Sequence, residues 1–167
     1  LSAQPPRAYT VATLAGGGAR GNASGAANGV GTNALFSSPQ GVAVDPKSGM
    51  VYVADTGSNL VRGIFPNGSV VTIAGRGAPG SANGIGTNAQ FSNPKGVAVG
   101  PTGTVFVAAG YGIRAIYPNR TVVTVAGGSF GYANGVGTNA QFDSSVSGVA
   151  VDPSSEILYV AEFYRVR

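Results

Sequence analysis

The sequence predicts an all-β protein built from β-propeller blades, and three observations carry this prediction. A ten-residue signature returns almost unchanged at residues 27–36, 82–91 and 133–142. The repeat interval is about 50 residues, which is close to the period of propeller blades and longer than that of most helical solenoids. Short runs of β-branched and apolar residues that stop at Gly or Pro separate the signatures, and no stretch has a convincing helical period.

The composition is that of a folded, turn-rich chain with little charge. Hydrophobic residues make up 43% of the 167 residues and charged residues 10%, whereas disordered chains combine low hydrophobicity with high net charge. The formal charge of +4 comes from scattered Lys and Arg residues, and a nucleic-acid surface usually clusters them. No run approaches the roughly 18 apolar residues that span a membrane. The composition therefore argues against a nucleic-acid partner and a helical membrane span.

The predicted domain organisation is an extended lead-in at residues 1–9, followed by a propeller segment at 10–167. Pro5 and Pro6 favour extended geometry in the lead-in. Residues 10–16 are predicted to be the outer, fourth strand of a blade. The predicted blade bounds are 41–75 and 96–127 for two complete blades and 148–167 for a partial blade that ends inside its third strand.

Each complete blade is predicted to be a four-stranded antiparallel meander. In the first blade, turns that contain Pro46 and Pro66 separate the apolar runs. The strands are apolar on both faces, as expected when stacking covers both sides of a sheet. About three blades cannot close a ring, which usually has 4–8. The sequence thus predicts that the chain is not a closed ring on its own: either it belongs to a longer chain, or several copies combine head to tail.

The order of these motifs resembles the NHL repeat. The best match starts at Phe36 as Phe-x-x-Pro-x-Gly-Val-Ala-Val-Asp, and continues as Val-Tyr-Val-Ala-Asp-Thr-Gly and a third strand that contains an Arg. The resemblance implies a ring of commonly six blades that often serves as a binding platform, and sometimes as an RNA-binding or enzymatic domain. The acidic position after Val-Ala is Asp55, then Ala109, then Glu162. An acidic ring at that level is broken, so we expect no shared cation site.

Catalysis is not expected from this segment. The NHL-like amidating lyases, which the resemblance brings into consideration, hold zinc with histidine, and this sequence contains neither His nor Cys. A Ser-His-Asp arrangement is excluded for the same reason. Asp45 and Asp152 occupy equivalent turn positions and are predicted to cap those turns. The sequence thus predicts no catalytic residue, no cofactor and no metal site.

The Gly-rich signature is interpreted as a structural loop. It offers several backbone N–H groups, but no helix follows it to supply the dipole of a phosphate site. Its Asn-Gly pairs favour tight turns. We expect two sets of apolar side chains to enter the gap between blades. The first set, which is expected to plug the gap, is Phe36, Phe91 and Phe142. The second set, which is expected to dip into the gap, is Val30, Ile85 and Val136.

Three arginines, Arg62, Arg114 and Arg167, fall at the same position of successive third strands. Two interpretations stay open for them. They can line one interaction surface that binds an acidic ligand, or each can bond the carbonyl groups of a loop between blades.

Three sequons make Asn22, Asn67 and Asn119 candidates for N-glycosylation. Asn67 and Asn119 are the same turn in successive blades, and attached sugar would keep a charge-poor surface soluble. The first functional hypothesis is therefore a non-enzymatic, extracellular or cell-surface structural or interaction module. Its partners would be another protein or copies of itself, bound through exposed blade faces, together with N-linked glycans.

Two alternatives stay open. One is an intracellular platform that binds protein or RNA, for which steep salt dependence of binding is expected. The other is a fragment of an NHL-like lyase whose catalytic residues lie outside this segment.

Overall fold

The computed structural model describes residues 9–143 and 146–167, so the predicted lead-in lies outside the described residues except for Tyr9. Three antiparallel sheets follow one another along the chain. The first contains β1 (Gly29–Val30), β2 (Pro39–Val44), β3 (Val51–Asp55), β4 (Leu60–Ile64) and β5 (Ser69–Ala74). The second contains β6 (Gly84–Ile85), β7 (Pro94–Val99), β8 (Val105–Ala109), β9 (Gly112–Ile116) and β10 (Thr121–Gly127). The third contains β11 (Gly148–Val151) and β12 (Leu158–Ala161).

The predicted fold class is confirmed. Strands β2 to β5 and β7 to β10 each form an antiparallel meander in chain order, which is the arrangement of a propeller blade. The first and second sheets each also have a short fifth strand that the sequence pattern did not predict. The signature supplies it: Gly29 pairs with Val70 at the edge of β5, and Gly84 pairs with Val122 at the edge of β10.

The sheets come closest together at their first strands. Strand β7 packs between β2 and β11, and glycines permit this approach. A Cβ added at Gly96 would lie 2.8 Å from the Gly148 Cα, inside the range that Cβ atoms avoid, and one at Gly41 would collide with the Lys95 carbonyl oxygen. The sheets are therefore arranged like blades that converge on a common axis.

Two clusters of the apolar core lie between neighbouring blades, and a third lies on the first sheet around Val53, Ile64 and Val70. One cluster joins the first sheet to the second and includes Val61, Phe91, Val107 and Ile116. Another joins the second sheet to the third and includes Ile113, Phe142 and Val160. Because neighbouring blades bury the faces that they share, stacking contributes to the stability of the array, as it does in repeat proteins.

The prediction of a strand at residues 10–16 is wrong, because this segment forms no strand in the described structure. The corresponding strands β5 and β10 pair with the third strand of their own sheets, β4 and β9. Among the described residues, no third strand of a blade lies beside residues 10–16. The segment keeps one bond of the repeat: the Gly16 N–H donates to the Gly31 carbonyl, as the Gly75 N–H does to that of Gly86.

The third sheet has two assigned strands and the start of another. Beyond β12, the N–H of Arg167 donates to the carbonyl of Val160 at 2.8 Å, and Ala161 bridges to Val166. No helix in the described part of the chain is long and apolar enough to cross a membrane.

Candidate functional site

The three repeated arginines are tied to the signature loops. In the first blade, the Arg62 Nη1 donates to the Leu35 carbonyl at 3.1 Å, and its Nη2 donates to the Ala27 carbonyl at 3.0 Å and to the Asn28 Oδ1 at 2.8 Å. A guanidinium fork thus closes the two ends of one loop. We call this arrangement the arginine clamp.

The clamp is repeated in the next two blades. Arg114 donates to the Gln90 carbonyl at 2.7 Å and to that of Ala82 at 3.0 Å. Arg167 donates to the Gln141 and Ala133 carbonyls at 3.4 and 3.0 Å. The same register in each third strand therefore delivers one guanidinium to one loop.

Each clamp also covers an aromatic ring. The guanidinium carbons lie 5.3 to 5.4 Å from the ring centroids in three pairs, Arg62 with Phe36, Arg114 with Phe91, and Arg167 with Phe142. This distance is within the range of a cation–π contact. The aromatic residue of the signature is thus packed under the arginine that fixes its loop.

Of the two interpretations left open for Arg62, Arg114 and Arg167, the exposed interaction surface is corrected by the structure for Arg62 and Arg114. Arg62 is fully buried and Arg114 is 3% exposed. Their donors are directed inward because the loop carbonyls that precede each blade need partners. The other interpretation of these residues, bonding to a loop between blades, corresponds to the arrangement in the structure.

Carboxylates complete two of the three clamps. Asp55 accepts a hydrogen bond from the Ser37 N–H at 2.6 Å and pairs with the Arg62 Nη1 at 3.3 Å. Glu162 accepts from the Asp143 N–H at 3.0 Å and pairs with the Arg167 Nη1 at 3.3 Å. These acids are therefore engaged within their own blades. Among the residues that the structure describes, no three His, Cys, Asp or Glu side chains form a group that could hold a metal ion.

Asp45 and Asp152 cap turns, as predicted. Asp152 accepts hydrogen bonds from the Ser154 N–H and hydroxyl and from the Ser155 hydroxyl. These bonds, led by the Ser154 N–H, lower the pKa of Asp152 to about 2. The Ser48 hydroxyl and the Lys47 N–H likewise lower the pKa of Asp45. Both residues are partly exposed, and their carboxylates are bonded within their own turns.

The apolar residues of the signature divide into two groups. Phe91 and Phe142 are buried, and Phe36 packs against the core of the first sheet. The second group was predicted to dip into the gap between blades, and that prediction is wrong. The members of this group are Val30, Ile85 and Val136. They are exposed, because each precedes a three-residue 3-10 turn on the outer edge of the sheet.

The sequon asparagines are exposed. Asn67 and Asn119 lie at the tips of the β4–β5 and β9–β10 hairpins. The Asn67 Oδ1 accepts the Ser69 N–H at 3.0 Å, and the Asn119 Oδ1 accepts the Thr121 N–H at the same distance. Asn22 lies in the loop before the first signature. Whether sugar is attached to any of them stays a prediction.

One face of the first sheet is open. Val42 is 69% exposed, whereas its equivalent Val97 in the second sheet is 7% exposed. A groove on this face is lined by residues of the first sheet and of the segment before it, including Leu14, Phe36, Val42, Val53 and Ile64. We call this surface the open blade face.

The fold and its repeated clamps define a β-propeller segment. Residues 36–64 match the family model of the NHL repeat, so the chain carries an NHL repeat. It is 34% identical over 91 residues to NHL repeat-containing protein 2 of Bos taurus. The aligned region covers 52% of this chain and 12% of that protein. It is also 35% identical over 82 residues to the chloroplastic protein SUPPRESSOR OF QUENCHING 1 of Arabidopsis thaliana, covering 48% and 8%.

Solved structures share the fold. A Bacteroides thetaiotaomicron protein of unknown function superposes with a TM-score of 0.67 at 22% identity. The match covers 74% of this chain and 32% of that structure. The chain therefore spans about a tenth of the curated relatives, and about a third of this solved structure.

Proposed function

We propose that this chain is a non-enzymatic interaction module of an extracellular or cell-surface protein, and that its blades stack on further NHL-like blades. The contrast between Val42 and Val97 carries this proposal. The two valines occupy the same position of equivalent strands, and the first sheet covers Val97. By the same packing, another blade would cover Val42.

The opposite end of the array supports the choice of a blade as the partner. Tyr159 of the third sheet is exposed, whereas its equivalent Tyr52 packs against the second sheet. The two ends thus present the two unlike faces that meet inside the array. Such heterologous faces combine head to tail. The additional blade can come from the same longer polypeptide or from a second copy of this chain.

The non-enzymatic part of the proposal rests on the residue types present. Without His or Cys in the sequence, neither a histidine zinc site nor a Ser-His-Asp arrangement can be built from this chain. The acids Asp55 and Glu162 are already bonded to arginines. We infer that the segment acts by presenting surface, with blades as the scaffold and loops as the variable face.

The extracellular part rests on the sequons. Asn67 and Asn119 stand at exposed hairpin tips, where a glycosyltransferase has access, and the chain has few charges to keep its surface soluble. In both, the Asx turn holds the Ser69 or Thr121 backbone against the asparagine.

The intact mass of the protein from its native source, before and after enzymatic removal of N-linked sugar, tests this assignment. The expected mass lies above 16.4 kDa and falls on treatment, and substitution of both hairpin asparagines by Gln removes most of that fall. An unchanged mass after treatment contradicts the extracellular assignment and favours the intracellular platform.

A further inference from the structure

The second blade lacks one member of the clamp that its neighbours possess. In the first and third blades a carboxylate, Asp55 or Glu162, bridges an arginine Nη1 and a backbone N–H. The equivalent residue of the second blade is Ala109. Its methyl group reaches neither donor, so the arginine of this blade has no counter-ion within the clamp.

Both donors are nevertheless retained. Arg114 stands where Arg62 and Arg167 stand and keeps its bonds to the loop carbonyls. The Ser92 N–H follows the buried Phe91, as the Ser37 N–H follows Phe36. Among the described residues, the Ser92 N–H has no acceptor, whereas the Ser37 N–H donates to Asp55.

A cavity of about 250 Å³ occupies the place of the missing carboxylate. Its lining includes both donor residues, the alanine, and small or polar neighbours: Ser92, Ala109, Tyr111, Arg114 and Thr124. No Asp or Glu lines it. It is smaller than the roughly 300–1,000 Å³ of sites for drug-sized ligands, so it suits a molecule of a few heavy atoms.

The electrostatics favour an anion there. Arg114 is 3% exposed, its Nε has no partner, and a guanidinium stays charged in proteins. The Nε of Arg62 is also unpartnered, but the neighbouring Asp55 balances that charge. Burial lowers the pKa of Arg114 without opposition from a carboxylate, whereas Asp55 opposes the same effect on Arg62. A buried charge without a counter-ion is costly, and a bound anion removes that cost.

We propose that the cavity beside Ala109 binds the carboxylate of a small ligand, which bridges the Arg114 guanidinium and the Ser92 N–H as Asp55 bridges Arg62 and Ser37. One carboxylate oxygen accepts from each donor, and the short remainder of the ligand occupies the cavity towards Tyr111 and Thr124. The site is independent of any partner blade.

An acetate titration followed by ¹H–¹⁵N NMR tests the site, with sodium chloride holding the ionic strength constant. The Ser92 amide resonance is expected to shift in a saturable manner. The Ser37 amide is an internal control that should stay unmoved, since Asp55 already occupies it. Ala109→Asp supplies an internal carboxylate and should abolish the response. A Ser92 amide that does not respond, or that responds equally in A109D, overturns the proposal.

Thermal unfolding provides a second readout. The Tm of the unsubstituted chain should rise with acetate more than with chloride, because a ligand that binds only the folded state stabilises it. A109D should have a higher Tm in chloride and no acetate dependence. Ala109→Asn fills similar space without charge, and it should lack both the higher Tm and the acetate response. Equal Tm values in acetate and chloride for the unsubstituted chain contradict the proposal.

The carboxylate can belong to a free small acid or to the C-terminus of a peptide, and two further titrations distinguish these sources. A short peptide with a free C-terminus is compared with its amidated form. Shifts of the Ser92 amide by acetate alone support a free acid. Tighter binding of the free peptide than of acetate, with none by the amidated form, supports a peptide terminus. No shift with either probe overturns the site.

Discussion

Asp55 and Arg62 form an ion pair at 3.3 Å in which both side chains are fully buried. The pair links the end of β3 to the middle of β4, and through the Arg62 fork it also reaches the signature loop. A buried pair of this kind is costly to break from one side, because the remaining charge is left without its partner. The first prediction follows from this geometry.

Asp55→Ala should destabilise the fold by about 1–3 kcal/mol, the cost of an unmet buried donor. Arg62 keeps its loop carbonyls, which holds the loss below that of an isolated buried charge. Urea unfolding measures the change in the free energy of unfolding. Asp45→Ala removes a partly exposed turn carboxylate and should cost less. A destabilisation no greater than that of Asp45→Ala would contradict a stabilising role for the buried pair.

Arg62→Lys should destabilise by at least about 2 kcal/mol, although it keeps the charge. A lysine ammonium cannot reproduce the fork that spans the Ala27 and Leu35 carbonyls, so at least one bond to a charged donor is lost. Arg20→Lys at an exposed position is the matched control and should be nearly neutral. Equal stability of R62K and the unsubstituted chain would show that charge alone, without the fork, holds the loop.

Gly96→Ala should destabilise by about 1–3 kcal/mol, because its Cβ would lie 2.8 Å from the Gly148 Cα in the next blade. Gly148→Ala is the matched control at the equivalent position of the third sheet. Its Cβ would meet the Ala161 Cβ at 3.5 Å, an ordinary contact, so stability should change little. The contrast in thermal unfolding between these two variants measures how closely the first strands approach. Similar losses in both would contradict the described packing.

Acid should weaken the third sheet as Asp152 titrates. Its pKa in the folded state is lowered to about 2 from 3.8. A lowered carboxyl pKa stabilises the fold above the unfolded value, and this contribution disappears as pH falls from about 4 through 2. A ¹³C NMR titration of the Asp152 carboxyl group should give a midpoint near 2.

Ser154→Ala should raise that midpoint towards the ordinary value, because the Ser154 hydroxyl bonds the carboxylate at 2.7 Å. Asp45 lies in the equivalent turn of the first blade and should titrate unchanged in this variant. If the Asp152 midpoint does not move, the hydroxyl bond does not lower its pKa.

Much of the fold could be predicted from the sequence, because each blade repeats the same strand pattern and the repeats confirm one another. The equal register of Arg62, Arg114 and Arg167 indicated that these residues share one role. The sequence could not decide between surface and clamp, since that depends on which carbonyls the loops leave unpaired. The loops lie between blades, and only packing shows their direction.

Three features escaped sequence reasoning for physical reasons. The two-residue strands at Gly29 and Gly84 are too short to have a period, and they form only because β5 and β10 offer a free edge. Residues 10–16 have the pattern of a strand but lack a pairing partner among the described residues. The sequence showed that Ala109 replaces an acidic residue of the neighbouring blades. Only the structure shows that the two donors to that acid, Ser92 and Arg114, remain beside a cavity.

Sedimentation equilibrium of the purified chain tests the central claim that the open blade face receives another blade. Val44 lies two residues after Val42 in β2, on the same face, and is 58% exposed. The predicted result is reversible, concentration-dependent association that the double variant Val42→Lys and Val44→Lys abolishes while its circular dichroism is unchanged. Ile85→Lys is the control: Ile85 is similarly exposed but lies on the outer edge, and this variant should associate like the unsubstituted chain. Association that survives the double variant would contradict the claim, and a chain that stays monomeric at all concentrations would exclude a second copy of this chain as the source of the blade.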